Sequence, residues 1–245
     1  MKFDVSRFVA PALFTAFAAL PAAAQSYDIT NVSLAGATQW DITAINAKGQ
    51  VAGTTVIAGE FRAFFVTQAD GTIDIGTLGG SRANAYGMSG AGHVVGSSEI
   101  GAEQYVLHAF SWTKDGGMVD LGTLGGLVSY AFAVNDSGTV AGYSLIAGNG
   151  AWHAFSWTRS GGMVDLGSLG GDSQAYAINA SGQIVGTADD ANSVTHAVLW
   201  NPGSAIKDLG MLPGFSSALF THCNPATTHW ALSRSPFTYR ERKTS

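Results

Sequence analysis

His108-Ala109-Phe110-Ser111-Trp112, followed by Met118-Val119-Asp120-Leu121-Gly122, returns almost unchanged as His153-Ala154-Phe155-Ser156-Trp157 and Met163-Val164-Asp165-Leu166-Gly167. Weaker copies flank these two: Arg62-Ala63-Phe64 with Asp74-Ile75-Gly76 before, and His196-Ala197-Val198 with Asp208-Leu209-Gly210 after. A period of about 45 residues restricts the chain to an array of like units, each burying its faces against its neighbours. It also argues against treating any one copy as an active site.

A second element precedes each phrase, as in Ala133-Val134-Asn135-Asp136-Ser137-Gly138-Thr139-Val140-Ala141-Gly142. Its polar centre reads as a turn in which Gly138 takes a positive φ, closing a hairpin with a bulge. Strands before and after the turn, then two more around Arg159–Gly162, make four strands per unit, and no segment has a helical period. In the third unit's third strand His153, Phe155 and Trp157 share one face and Ala154, Ser156 and Thr158 the other. Neither face is charged, and only 12% of the whole chain is Asp, Glu, Lys or Arg. A bulky face against a small-residue face is what stacked blades require. The expectation is an all-β repeat architecture of propeller-like four-stranded blades forming a partial or open propeller, with a β-solenoid as the alternative.

The tripeptide His-Ala-Phe at 108–110 and 153–155 resembles the signature of the bacterial HAF-repeat family of exported, extracellular repeat proteins, over about residues 40–212. That resemblance implies export and a repeat fold, and carries no established activity.

The N-terminus has the layout of a secretory signal over 1–24: Lys2 and Arg7, an apolar run from Phe8 to Leu20, and Ala22-Ala23-Ala24 before Gln25. The apolar run is too short for a membrane anchor, and no membrane span is expected once it is removed. The expected location is therefore secreted, extracellular or periplasmic, in a bacterium. The repeat domain is placed at 25–212, with units at about 40–80, 84–126, 129–171 and 174–212 after an isolated strand at 27–36. The pattern stops near Gly214. Residues 213–245 form an atypical tail, expected to be disordered or foreign to the repeat, such as a frameshifted or truncated end, with a capping segment as the alternative. The tail holds the single cysteine, Cys223, and Arg234, Arg240, Arg242 and Lys243 against Glu241 alone. One cysteine allows no internal disulfide. A net charge of −5 without a basic stripe gives no reason to expect a nucleic-acid partner.

His108, His153 and His196, with Arg62, hold one repeat position, and Asp74, Asp120, Asp165 and Asp208 another. The expected role is structural: a donor–carboxylate bond inside each blade, loosely like the His/Trp/Asp network of WD-type blades. A one-residue change of register would put the aspartates on the opposite face, so both arrangements stay open. The Gly-Thr-Leu-Gly-Gly segments lack a following helix and read as turns rather than phosphate loops. Function is expected where the units differ, in the loops between second and third strands. These hold Glu60, Glu99, Glu103, Tyr105, Trp152, Asp189 and Asp190 as candidate ligand-binding residues. No catalytic constellation, metal site or cofactor is expected. The leading expectation is a non-enzymatic, exported binding or surface-interaction module whose partner is a protein or a glycan. The alternative is a propeller-type enzyme acting on carbohydrate with acids from these loops.

Overall fold

The computed structural model describes residues 32–101, 105–211, 220–223 and 230–232. The signal at 1–24, Glu103, most of the isolated strand at 27–36 and most of the tail lie outside the described residues. Within the tail, β17 (Phe220–Cys223) pairs antiparallel with β18 (Trp230–Leu232).

Sixteen strands form four antiparallel meanders, as the repeat implies. Blade 1 is β1 (Ala37–Ile45), β2 (Val51–Ile57), β3 (Glu60–Thr67) and β4 (Gly71–Asp74). Blade 2 is β5 (Gly79–Met88), β6 (Val94–Ile100), β7 (Leu107–Thr113) and β8 (Gly117–Asp120). Blade 3 is β9 (Gly125–Val134), β10 (Val140–Ile146), β11 (Trp152–Thr158) and β12 (Gly162–Asp165). Blade 4 is β13 (Gly170–Ile178), β14 (Ile184–Asp190), β15 (Thr195–Trp200) and β16 (Lys207–Gly210). The antiparallel pairing within every blade sets the solenoid alternative aside. Blades 2 and 3 are additionally joined by a parallel pairing of Leu107 with Val128.

The blades begin and end earlier than the expected units. The Gly-Gly pairs, expected to trail a fourth strand, instead open the first strand of the next blade. The cause is a hook: the Leu124 N–H donates to Ser144 Oγ at 2.9 Å, and Leu124 bridges in parallel to Ile146. The chain is thereby drawn across to the far end of its new blade before Gly125, at φ +101°, starts the strand.

Consecutive blades pack face to face, bulky on small. Phe110 and Trp112 of blade 2 pack on Ala52, Ala63 and Phe65 of blade 1. Phe155 of blade 3 packs on Val95 and Ala109 of blade 2, and Val198 and Trp200 of blade 4 pack on Ala141 and Ala154 of blade 3. A hydroxyl bolts two of these joints. Ser129 Oγ accepts the Ala109 N–H at 2.7 Å and donates to the Gly122 carbonyl at 2.6 Å. Ser173 does the same with Ala154 and Gly167. The turns are chained too: Asn135 Nδ2 donates to the Asn179 carbonyl, and the Ala91 N–H to Asp136. These contacts use the amides of the Asn46 and Asn135 turns for architecture, and Gly138 takes the expected positive φ of +80°.

Every first strand carries one extra residue opposite the second: Thr43, Tyr86, Phe132 and Tyr176. The bulge pushes a backbone carbonyl into the space where the facing residue's Cβ would sit, which is why the repeat keeps Gly53, Gly96, Gly142 and Gly186 there. A Cβ on Gly96 would lie 1.8 Å from the Asn84 oxygen.

Blade 1, the first blade among the described residues, differs on its outward face. Where the later blades offer Ala83, Ser129 and Ser173 to a preceding blade, it has Trp40, which covers the fully buried Phe64 edge-on at 5.0 Å. Blade 1 thus covers with its own side chain a face that the other blades cover with a neighbour.

Candidate ligand-binding face

The histidines and aspartates meet as expected. Asp120 stands directly opposite Phe110 in the β7–β8 ladder, and so shares a face with His108 two residues away. His108 Nδ1 lies 2.9 Å from Asp120, His153 Nδ1 2.8 Å from Asp165, His196 Nδ1 2.9 Å from Asp208, and Arg62 2.9 Å from Asp74. The other carboxylate lone pairs accept the N–H of the glycine two residues on, as from Gly122 at 2.7 Å. Partial burial pushes the Asp120 pKa up, but the bonds from His108 and Gly122 outweigh it and hold it below the usual range. Four copies of one arrangement form a strand-end clasp, the first of them leaving Arg62 Nε buried without a partner among the described residues.

The candidate residues sit nearer the strands than expected. Glu60 opens β3, Glu99 lies in β6, Trp152 opens β11, and Asp189 and Asp190 close β14. The ladders run almost to the tips because Val56 and Ile57 pair with Phe61 and Glu60, leaving Ala58 and Gly59 as the whole connection in blade 1. Of the candidates among the described residues, Tyr105 alone lies in a turn between strands, 79% exposed at φ +73°.

Two acids from different blades do converge. Ser81 Oγ donates within reach of Glu60, at 3.2 Å, and Glu99, at 2.9 Å. Arg82 Nε bonds Glu60 at 2.9 Å and approaches Glu99 to 4.0 Å. The Arg82 guanidinium beside Glu60 holds that carboxyl below the usual carboxylate range. A general acid needs a shift the other way. The cluster bridges blades 1 and 2 as an ion-paired joint.

Asp189 and Asp190 are likewise engaged locally. Asp189 accepts from Thr195 Oγ1 at 2.6 Å. Asp190 Oδ1 accepts the N–H groups of Val194 and Asn192, and these bonds, Val194's first, lower its pKa. Such a carboxylate is organising its own turn. Among the described residues no group of three or more His, Cys, Asp or Glu side chains converges as a metal set.

Trp152 leads to a site the repeat phrase conceals. In every blade one residue of the first strand faces one of the second in the same register: Asp41 with Thr54, Asn84 with Ser97, Tyr130 with Tyr143, and Gln174 with Thr187. A residue near the start of the third strand shares that side of the sheet: Phe61, Leu107, Trp152 and Thr195. Blade 3 alone fills all three places with aromatic rings. Tyr143 meets Tyr130 at 5.5 Å and Trp152 edge-on at 5.2 Å, and Tyr130 lies 5.9 Å from Trp152.

The bulge residues extend this group across three blades. Phe132 is stacked between Tyr86, at 5.1 Å and 13°, and Tyr143, at 5.2 Å and 16°. Tyr176 meets the other edge of Phe132 at 6.2 Å. All six rings are half-buried. Burial pushes the Tyr143 phenol up to about 12, with Tyr176, Tyr130 and Tyr86 adding to the shift. Burial also raises Tyr86, Tyr130 and Tyr176. Tyr86 bonds Ser97 and Tyr176 bonds Gln174, whereas among the described residues neither the Tyr130 nor the Tyr143 hydroxyl has a hydrogen-bond partner. Apart from Trp152, none of these rings was singled out from sequence. Comparison of the four units at matched positions would have found Tyr130 and Tyr143.

Polar grooves lie between blades at the opposite, turn-rich end. The one between blades 2 and 3, of about 700 Å³, is lined by His93, Ser111, Asp115 and Arg159 among others. The one between blades 3 and 4, of about 520 Å³, includes Asn135, Thr158, Trp200 and Asn201. Both are built from repeat positions and resemble each other in kind.

The chain matches no protein-family model and no curated protein. Among solved structures it is similar to TolB from Acinetobacter baumannii, at 11% identity and a TM-score of 0.48, over 71% of this chain and 44% of that one. It is also similar to a protein assigned as a gluconolactonase, at 15% identity and a TM-score of 0.41, over 72% of this chain and 65% of that one. This chain therefore spans less than two thirds of either.

Proposed function

We propose that this propeller-type chain is an exported, non-enzymatic binding module of the HAF-repeat kind, and that its partner meets the inner aromatic face of blade 3. One observation carries the reading. Four blades keep the same strand register, yet only one replaces the facing pair and its neighbour with Tyr130, Tyr143 and Trp152. A scaffold position needs the same chemistry in each copy; a recognition position does not. Half-exposed tyrosine and tryptophan are also the side chains that contribute most to recognition for little conformational entropy. Export rests on the charge, apolar run and Ala-x-Ala site of residues 1–24, and no helix among the described residues is long and apolar enough to cross a membrane.

The carbohydrate-enzyme reading draws on the meeting of Glu60 with Glu99. It is the weaker one, because Arg82 and Ser81 already occupy the carboxylates and lower the Glu60 pKa.

The test is co-sedimentation of the full chain with isolated bacterial envelopes, alongside a variant in which blade 3 receives the residues of blade 2: Tyr130→Asn, Tyr143→Ser and Trp152→Leu. Retention of the natural chain, loss in the variant and no release of sugars are expected. Equal retention of both would remove the aromatic face from the proposal, and steady release of sugars would favour the enzyme.

A further inference from the structure

Resting on that reading, we infer that the aromatic face of blade 3 takes a neutral glycan, laid with its sugar-ring faces against Tyr130, Tyr143 and Trp152. The chemistry of the surroundings selects this class. The stack Tyr86–Phe132–Tyr143, with Trp152 and Tyr176 at its edges, is a run of half-buried rings carried by three successive blades. An extended ligand of repeating flat units fits such a run.

The polar side chains at the matched positions of the two flanking blades are uncharged, Asn84 and Ser97 in blade 2 and Gln174 and Thr187 in blade 4, and the Asp172 carboxylate beside the face accepts the Trp152 N–H at 3.0 Å. Asp189 is the one acid whose charge reaches the Tyr176 phenol, and no lysine or arginine touches the rings among the described contacts. An anionic ligand such as a phosphate or nucleic acid would find no cation there, in a chain already carrying −5.

A purely apolar ligand fits poorly as well. It would cover the Tyr130 and Tyr143 hydroxyls, which have no partner among the described residues, and leave them without water or replacement. A sugar satisfies both halves. Its axial C–H groups lie on the rings, and its hydroxyls bond phenols and amides at the periphery.

The experiment is isothermal titration of the full chain with soluble laminarin, xylan, mannan and chitooligosaccharides, the same envelopes being retested after periodate oxidation of their sugars. At least one neutral glycan is expected to bind, with each lost ring weakening it about tenfold. Tyr130→Asn with Tyr143→Ser should therefore show a loss of about a hundredfold. Tyr143→Phe, which keeps the ring, should lose far less. Melting curves of the variants confirm that they fold, and because blade 2 carries Asn84 and Ser97 in the same register, the replacements have a precedent within the chain. Envelope retention that depends on the aromatic residues but survives periodate, with no glycan binding, overturns the glycan and leaves the binding module standing. Retention and glycan binding both indifferent to these residues overturn both.

Discussion

A Cβ built on Gly142 would lie 1.9 Å from the carbonyl oxygen of Tyr130. The Phe132 bulge drives the two strands together at this point, so the repeat's Val-x-Gly ending is set by backbone approach. The bulge that places an aromatic ring in the inner face and the glycine in the next strand are one device. Gly142→Ala should therefore destabilise the protein by about 3 kcal/mol or more, because backbone must move. Gly150→Ala is the control, with φ −88° and nothing within 4 Å of the new Cβ. Urea melting of the two variants checks this. Equal midpoints would mean that the strands separate freely here.

The buried hydroxyl of Ser129 makes a second prediction. It bonds Ala109 and Gly122 across the joint between blades 2 and 3, and is completely buried. Ser129→Ala leaves both backbone groups without that partner and should cost about 1–3 kcal/mol. Blade 2 has Ala83 at this position, equally buried. Ala83→Ser, offering a hydroxyl to the corresponding groups of blade 1, should raise the melting temperature. A fall in the Ala83→Ser variant would show that this joint is packed differently from the other two.

Strand number, blade order and the repeat positions of the clasp residues were legible because a repeat tests each inference four times, while the register that joins them was left open and comes from the β7–β8 ladder. His108, His153 and His196 stand at matched distances from their aspartates in sequence, so a single register explains all three. The start of β9 at Gly125 was not legible. It depends on the Ser144 hydroxyl capturing Leu124 from another strand, a contact with no local signature. The bulges escaped for the same reason, since one extra residue leaves no mark in an alternating pattern. The site was half-hidden by the repeat itself. Glu60 and Glu99 are acids in variable segments, yet Arg82 pairs with Glu60 and Ser81 bonds both across the blade joint. Tyr130 and Tyr143 lie inside regular strands, where an aromatic residue reads as core.

The clasp at Asp120 contributes to the acid limit of stability. Asp120 has a folded pKa below its ordinary value, held there against the effect of burial by His108 and Gly122. A depressed carboxylate adds stability that is present above the unfolded pKa of about 3.9 and is lost as pH falls through the folded value. The half-exposed geometry keeps this contribution small, about 0.5–1 kcal/mol after screening. His108→Ala should lower the melting temperature modestly at pH 7 and make its fall below about pH 4 shallower. Ligand binding at the blade 3 face should not change. A melting temperature equal to that of the natural chain at pH 7 would remove the clasp from the stability of the fold.

The alkaline limit belongs to the aromatic face. Burial pushes the Tyr143 phenol up to about 12, while an exposed tyrosine ionises near 10. Between these values the unfolded chain gives up a proton that the folded one keeps. Stability that is complete below about pH 10 therefore declines as pH rises toward the folded value. Absorbance titration at alkaline pH should show a late-ionising phenol that Tyr143→Phe removes, and the variant should lose less stability than the natural chain over that interval. A glycan bonded to the phenol would cover the group further and delay its ionisation again. If no late-ionising phenol is seen, the ring is open to water and the stacked face does not form in solution.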